Sequence, residues 1–561
     1  MSSHRSDPDR SPRRGGRATT AGALAGLLAG GAAVATSEAV TAVLDGVTSP
    51  LFAVANRAVD AAPRPVKEWA IETFGAADKP VLIGGVVATV AALAVLAGVL
   101  GLRRPRLAVG LFLLLSAVAA LAVVTDRSAS AGPAVRLVPV LVLVAVGLTA
   151  LLLMLRALRP LPSPRVGGPA TDGPAAQARP EAPEWVASSD GGKPRLRPAG
   201  DDLPPSFDRR AFLVTAMAVG GVAASGGLAT RALGGSEAGA ARAALTVPVP
   251  DSAAPALSAS ARLDVPGITP YLTPNRDFYR VDTALRVPDV PVDTWRLRVH
   301  GMVDRELDLS FEDLVERRLV ERRITLTCVS NPVGGEYVGN ATWIGVPVRD
   351  LLLEAGVDPD ADAVKSTSAD DFTAGTPLSA LLDEDRGALV AVAMNGEPLP
   401  LEHGFPVRMV TPGLYGYVSA TKWLTDLEVT RFADFKAYWT TRGYAAEAPI
   451  KTSSRIDVPR SFARVRPGRV PVAGVAWSQD RGIRAVEVRV DGGDWNEARL
   501  AAEDNVDTWR QWVWDWEATP GNHQLEVRAT DATGSTQTAE RAPIAPDGST
   551  GWHSVNVTVE G

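Results

Sequence analysis

The sequence contains a single cysteine, Cys328, in 561 residues, which excludes an intramolecular disulfide. A solitary thiol is oxidisable, so an exported chain gains little by keeping one without a task for it. Taken alone, the residue reads equally well as a small buried hydrophobe. Histidine is scarce as well. His4, His300, His403, His523 and His553 are the full set, and none lies in an apolar stretch long enough to cross a membrane. On these positions no membrane haem is held by two imidazoles. The lack of a Cys-x-x-Cys-His run excludes a c-type haem. Positive charge is not in excess either: the formal net charge is −6 at pH 7, so nucleic-acid binding has no electrostatic support.

Long apolar runs, by contrast, fill the first part of the chain. Five uncharged stretches, Ala18–Ser37, Val81–Leu102, Leu107–Thr125, Leu137–Leu155 and Ala211–Thr230, each hold about 20 residues, enough to cross a hydrocarbon core. Pro139 in the fourth is tolerable near a helix end. Arg5, Arg10, Arg13, Arg14 and Arg17, the run Arg103-Arg104-Pro105-Arg106, and the segment after Arg156 are cytoplasmic by the positive-inside rule. Loops 38–80 and 126–136 then lie outside. Five crossings place everything after residue 235 outside the cytoplasm. Residues 160–207 are dense in Pro, Gly and Ala and read as a linker. Asp208-Arg209-Arg210-Ala211-Phe212-Leu213 is similar to a twin-arginine export signal placed inside the chain; the alternative is a plain basic flank of the fifth helix.

The later residues carry the patterns of a globular protein. Trp295–His300 alternates as a strand. Ser310 is placed to cap a helix over Phe311–Arg318, with Glu312 and Asp313 in its first turn. Ile324–Thr327 is a β-branched strand that ends on Cys328, just before a loop with Pro332 and Gly334. Pro347 and Gly356 bracket a helix over Val348–Ala355.

Three blocks resemble the sulfite oxidase family. Thr325-Leu326-Thr327-Cys328, with Gly339-Asn340-Ala341-Thr342-Trp343-Ile344-Gly345-Val346 and Arg349-Asp350-Leu351-Leu352, is similar to that family's molybdenum-site segment. Thr273-Pro274-Asn275-Arg276-Asp277-Phe278-Tyr279-Arg280 is similar to its upstream pterin-contacting segment. His403-Gly404-Phe405-Pro406-Val407-Arg408, followed by Pro412-Gly413 and Lys422-Trp423-Leu424, is similar to its pterin-binding pattern, with one extra residue before the lysine. The resemblance implies a molybdenum–molybdopterin cofactor and two-electron oxygen-atom transfer on a small substrate. Cys328 would be the metal ligand, a soft thiolate suited to a metal already held by a dithiolene. Arg280 would join it in catalysis. Asn275, Phe278, Tyr279, Arg280, Asp370, His403, Arg408, Ala420, Thr421 and Lys422 would hold the cofactor. Arg408 and Lys422 are the cations expected on its phosphate, and Asp371 rivals Asp370 for the pterin ring.

Two departures bear on the substrate. Relatives that oxidise sulfite carry an arginine five positions after the cysteine, where this chain has Val333, and Asn-His where it has Val281-Asp282. A less cationic pocket leaves room for a sulfoxide or N-oxide, reduced instead of oxidised. A cofactor-free, membrane-tethered binding protein is the remaining alternative. Tyr415 and Tyr417 stand near the pterin block and read better as core or surface residues than as substrate contacts.

Beyond residue 450 the chain reads as all-β. Val486–Val490 alternates into Asp491-Gly492-Gly493, a turn signal, and Trp512, Trp514 and Trp516 recur every second residue on a face expected to be core rather than a partner surface. An immunoglobulin-like sandwich fits these short strands, and the order resembles the dimerisation domain of the same family. The expected organisation is therefore multi-domain. It comprises a four-helix membrane region (1–159), the linker (160–207), the export-like signal with a fifth helix (208–235), an α+β molybdopterin domain (260–445) and the sandwich (450–561). Expected partners are the membrane, a separate cytochrome or quinone-linked electron carrier, and a second copy of the chain.

Overall fold

A computed structural model describes residues 13–44, 47–63, 66, 73–74, 78–126, 131–158, 209–233 and 237–561. The linker 160–207, Arg5, Arg10 and Asp208 lie outside these. The chain divides into two compact units, Met1–Ala61 with Lys79–Gly234, and Ala62–Asp78 with Gly235–Gly561.

The first unit is helical: α1 (Arg13–Thr41), α2 (Pro50–Ala61), α3 (Asp78–Arg103), α4 (Pro105–Val124), α5 (Pro133–Ala157) and α6 (Arg209–Leu233). Four segments, Thr19–Thr41, Lys79–Arg103, Pro105–Val124 and Pro133–Ala157, are long and apolar enough to cross a membrane. They coincide with the first four stretches seen in the sequence. The fifth expected crossing falls on α6, whose described apolar part is Leu213–Ser225. Pro105 and Pro133 open their helices, where a missing N–H leaves no bond unmade. Gly22 and Gly26 let α1 lie against α3: a Cβ on Gly26 would stand 2.0 Å from the Ala94 carbonyl oxygen. This is backbone-to-backbone packing of the kind small residues permit in apolar surroundings. Helix α2 was not foreseen, because loop 38–80 was read by charge alone. Twelve residues are too few to span a membrane, but Ala53 is buried in a cluster with Ala122, Val123 and Val140.

The second unit begins earlier than residue 260. Helix α7 (Glu237–Ala244) is tied down by Arg242, which donates to the Leu399 carbonyl at 2.8 Å. Its Ala-rich sequence gives no pattern that separates it from the linker. Strands β1 (Arg296–Gly301), β2 (Leu307–Ser310), β3 (Val320–Thr327), β4 (Val338–Pro347), β5 (Ala363–Ser368), β6 (Thr373–Pro377), β7 (Leu389–Met394), β8 (Glu397–Pro398), β9 (Arg408–Val410) and β10 (Leu424–Thr430) form two sheets, the first mixed and the second antiparallel. One sheet has the order β2-β1-β10-β5-β6; the other runs β3-β4-β7-β8, with β9 also paired to β7. Ser310 and Asp313 form a reciprocal cap on α8, which spans Phe311–Val315. The helix expected to Arg318 stops sooner, with Glu316 as its C-cap, and Arg317 beyond it pairs with Glu354. Helix α9 (Val348–Ala355) ends on Gly356 at φ 71°, as its flanking residues require.

The C-terminal strands form two facing sheets. Strands β11 (Ser453–Val458), β13 (Gly468–Trp477), β16 (Arg499–Leu500) and β17 (Arg510–Ala518) make one. Strands β12 (Ala463–Val465), β14 (Ile483–Val490), β15 (Asn496–Glu497), β18 (Gly521–Asp531) and β19 (His553–Val559) make the other. Trp512 and Trp516 are buried between them with Val486, Leu525 and Val557, and Trp514 packs on the edge of that cluster. The tryptophan face is core.

Candidate active site

Cys328 sits where β3 runs out, and its position is set from both sides. Toward the molybdopterin-like layers its backbone N–H donates to the Tyr337 carbonyl at 2.9 Å. Toward the sandwich, Gln479 Nε2 donates to the Thr325 carbonyl at 2.8 Å, and the Trp509 N–H donates to Thr325 Oγ1 at 2.8 Å. Arg455 Nη1 reaches the Gly335 carbonyl at 2.8 Å and Ser549 Oγ the Asn331 carbonyl at 2.7 Å. Gly334, at φ 78°, has room for no side chain, since a Cβ there would meet the His553 ring at 2.0 Å. The cysteine loop is thus pressed between two folded layers. Its thiol accepts the Ser330 N–H at 3.4 Å. Burial pushes the thiol pKa up, against the weaker pull of the Ser330 bond and of Lys422.

Cys328 lines a cavity of about 90 Å³, partly open to solvent. Phe278, Tyr279, Cys328, Asp370, His403, Arg408, Ala420 and Lys422, all marked in the sequence, line it. Phe278 stacks on Tyr279 at 5.2 Å between centroids and meets Trp343 and His403 edge-on. His403 Nε2 lies 3.1 Å from the Asn275 carbonyl, which can only accept, so the ring carries its proton there. Burial and the neighbouring Arg408 lower its pKa to about 4, leaving a neutral imidazole. Gly404, at φ 110°, packs closely there: a Cβ on it would stand 3.1 Å from Arg408 and from Lys422.

Two cations form the floor. Arg408 is 5% exposed and donates to the His403 and Ala420 carbonyls at 3.0 and 3.2 Å. Its guanidinium lies 5.0 Å from the Trp343 ring centre. Lys422 is 8% exposed, donates to Asp282 at 2.6 Å and to the Glu402 carbonyl at 3.0 Å, and lies over Trp423. Burial lowers the arginine to about 10 and the lysine to about 8, the latter in spite of Asp282. A guanidinium that bonds only to carbonyls, desolvated and facing a cavity, is what an incoming phosphate needs. A thiol on the same wall could supply the one protein sulfur that a dithiolene-bound metal would need. The residues present fit molybdopterin.

Some marked residues stand behind this wall. Asn275 braces His403 through its carbonyl and Asn395 through its side chain, at 2.8 Å. Thr421 is fully buried, 2.7 Å from Ser366 Oγ. Arg280 does not line the cavity; it is partly exposed and bonds Asp282 at 2.9 Å. Of the two rival acids, Asp370 lines the wall with its pKa raised by burial, while Asp371 is exposed at φ 61°. Tyr417 lines the cavity and also belongs to a buried cluster, whereas Tyr415 lines a second cavity beside Val333 and the sandwich. Asp282, noted in the sequence only as a departure from sulfite-oxidising relatives, lines the site, as do Phe372, Trp439 and Tyr444, which sequence reasoning missed. Asp282 lies two residues past a recognised block; Trp439 and Tyr444 lie in a loop with no motif.

Comparison with known proteins agrees with this geometry. The family described as the oxidoreductase molybdopterin binding domain matches residues 284–439. Sulfite oxidase of Gallus gallus is 33% identical over 334 residues, covering 50% of this chain and 72% of that protein. Mitochondrial sulfite oxidase of Homo sapiens is 31% identical over 340 residues, and the match spans 62% of its length. The uncharacterized oxidoreductase YuiH of Bacillus subtilis is 36% identical over 175 residues, 84% of that protein. On these matches this chain belongs to the sulfite oxidase family of molybdopterin oxidoreductases.

Proposed function

We propose that this protein carries out two-electron oxygen-atom transfer on a small sulfur-containing or related substrate, outside the cytoplasm and anchored by its apolar helices. The observation that carries the reading is one cavity wall bearing the only thiol of the chain and two buried cations. When bound, the molybdenum–pterin group supplies the redox and oxygen-transfer chemistry. Cys328 would give the metal its protein thiolate. Arg408 and Lys422 would neutralise the phosphate. Asp370 would accept N–H bonds from the pterin ring, and Phe278, Tyr279 and His403 would line its pocket. Asn275 and Thr421 would hold these groups in place from behind. The aromatic cluster also keeps water from the floor, where charge–charge attraction is strengthened by the low dielectric.

Location and partners follow from charge and parity. The arginine-rich loops, the five crossings expected from the sequence and the Arg209-Arg210 pair at the start of α6 support export of a folded, cofactor-loaded region. Electrons would pass to or from a separate cytochrome or quinone-linked protein, and a second copy of the chain would pair through the sandwich. Metal and pterin analysis of the full-length protein from a cofactor-competent host is the test, beside Cys328→Ser. One molybdenum per chain, with turnover abolished in the variant, is expected. Protein without molybdenum, or a fully active Cys328→Ser, would end the proposal. Proteolysis of intact cells reports the location: cleavage after residue 235 only upon lysis would contradict it.

A further inference from the structure

The charges around the cavity bear on what enters it, granted the oxygen-transfer reading above. Its wall carries Arg408 and Lys422, the carboxylates Asp282 and Asp370, and His403. The two cations are buried, at 5% and 8% exposure, and are allotted to the cofactor phosphate. Asp282, whose side chain is only 4% exposed, already holds Lys422 at 2.6 Å and Arg280 at 2.9 Å. Arg280, the next cation outward, stays out of the cavity wall. Val333 offers no charge at the position where sulfite-oxidising relatives carry an arginine. Once a phosphate lies on the floor, an anionic substrate would meet a wall with no cation left for it among the described residues, and with carboxylate nearby.

The outer part of the cavity is built differently. Phe372, Trp439 and Tyr444 are half-buried, in contrast to the buried floor, and so mark the opening side. Tyr417 and Trp439 each meet Tyr444 in steep contacts, with ring centroids 5.7 and 5.3 Å apart. The Tyr417 hydroxyl is taken by the Ala445 carbonyl at 2.7 Å, which fixes the ring and spends its polar end on the backbone. Such a surface favours methyl, methylene or aryl groups over hydrated oxyanions.

We infer that Asp282 is a specificity-determining residue: by holding Arg280 and Lys422 it lets the aromatic mouth of Phe372, Tyr417, Trp439 and Tyr444 select an uncharged organic sulfoxide or amine N-oxide over an inorganic oxyanion. Reduction of such an oxide breaks its S–O or N–O bond. It takes up two electrons and two protons, both available from a quinol-class donor, and releases the sulfide or amine with one water.

The test uses the purified full-length holoprotein with molybdenum content measured for every variant. Reduced viologen drives a dialkyl sulfoxide or trimethylamine N-oxide, ferricyanide accepts electrons from sulfite, and sulfate serves as inhibitor. The wild type should turn over the neutral oxides and ignore sulfate. Asp282→Asn frees a charged donor and should strengthen sulfate inhibition about tenfold. Trp439→Ala should raise KM for the neutral oxides about tenfold with kcat little changed. Arg280→Gln should leave the response to sulfite and sulfate as it was, which keeps the idea exposed even if Asp282→Asn loses cofactor. A molybdenum-loaded wild type that prefers sulfite would overturn the inference while leaving oxygen transfer intact. So would an Arg280→Gln variant that alone loses sulfate binding, or a loaded Asp282→Asn that gains none. Protein that carries no molybdenum overturns both.

Discussion

The helical unit and the unit that carries the cavity are held together by different physics. In the first, the close contacts are backbone against backbone: Gly22 and Gly26 of α1 against Ala94 and Gly98 of α3, with Ala25, Ala29 and Ala32 filling the adjoining cluster. Neutral polar groups are buried there too, such as Ser37 Oγ of α1 donating to the Pro139 carbonyl of α5 at 3.0 Å. In the second, ions are buried and answer one another over long stretches of chain. Arg323 and Asp504, 8% and 6% exposed, pair at 2.6 Å, and Lys422 reaches Asp282 at 2.6 Å. Shape can specify the contact of α1 with α3, because the glycines and alanines that meet there are chemically alike. The cavity needs charge placed to a fraction of an ångström, since a buried ion without its partner costs several kcal/mol.

That contrast is breakable at defined points. The largest effect is expected from Arg408→Met, which keeps the bulk but deletes the phosphate fork. Losing a charge-assisted bond of about 1.5–3 kcal/mol should cut cofactor retention roughly ten- to hundredfold. The apo protein should melt no lower, because an unpaired buried charge has gone. Molybdenum content after gel filtration, with a melting curve, checks both; full retention would mean that Arg408 does not hold the phosphate.

Next in size is Gly26→Leu. A side chain there must push α1 from α3, at about 1–3 kcal/mol of overpacking, and detergent-extracted yield and thermal aggregation should report it. Molybdenum per soluble chain should stay constant. A parallel loss of metal would show that the two units are not energetically separate.

The smallest effect concerns pH. Lys422 titrates near 8 because burial works against its charge. Its ammonium is therefore present below that value and lost as pH rises through it. Arg408, near 10, stays charged over the same interval. Pyrophosphate binding to the apo protein, followed by thermal shift, should weaken about tenfold between pH 7 and 9. Lys422→Met should flatten the profile; an unchanged slope in that variant would assign the titration elsewhere.

Much of this was legible in one dimension. Four apolar segments were long enough to be read as spans because length is the only requirement a hydrocarbon layer imposes. Strand β3 ending on Cys328, helix α9 between Pro347 and Gly356, and the tryptophan face of β17 all follow from local periodicity and punctuation. The three cofactor blocks are recognisable because each is contiguous.

Tertiary structure decided the rest. Which member of a block faces the cavity is a matter of register: Asp370 lines it and Asp371 does not, and Asn275, Arg280 and Thr421 stand behind or beside it. The link from Asp282 to Lys422 crosses 140 positions of sequence. The clamp on the cysteine loop from Arg455 and Ser549 comes from strands and turns that the chain reaches only after more than a hundred further residues. Periodicity and local steric preference act over a few residues and so can be read along the chain. Electrostatic pairing and cavity shape act through space, and they exist only once distant segments have been brought within a few ångströms of each other.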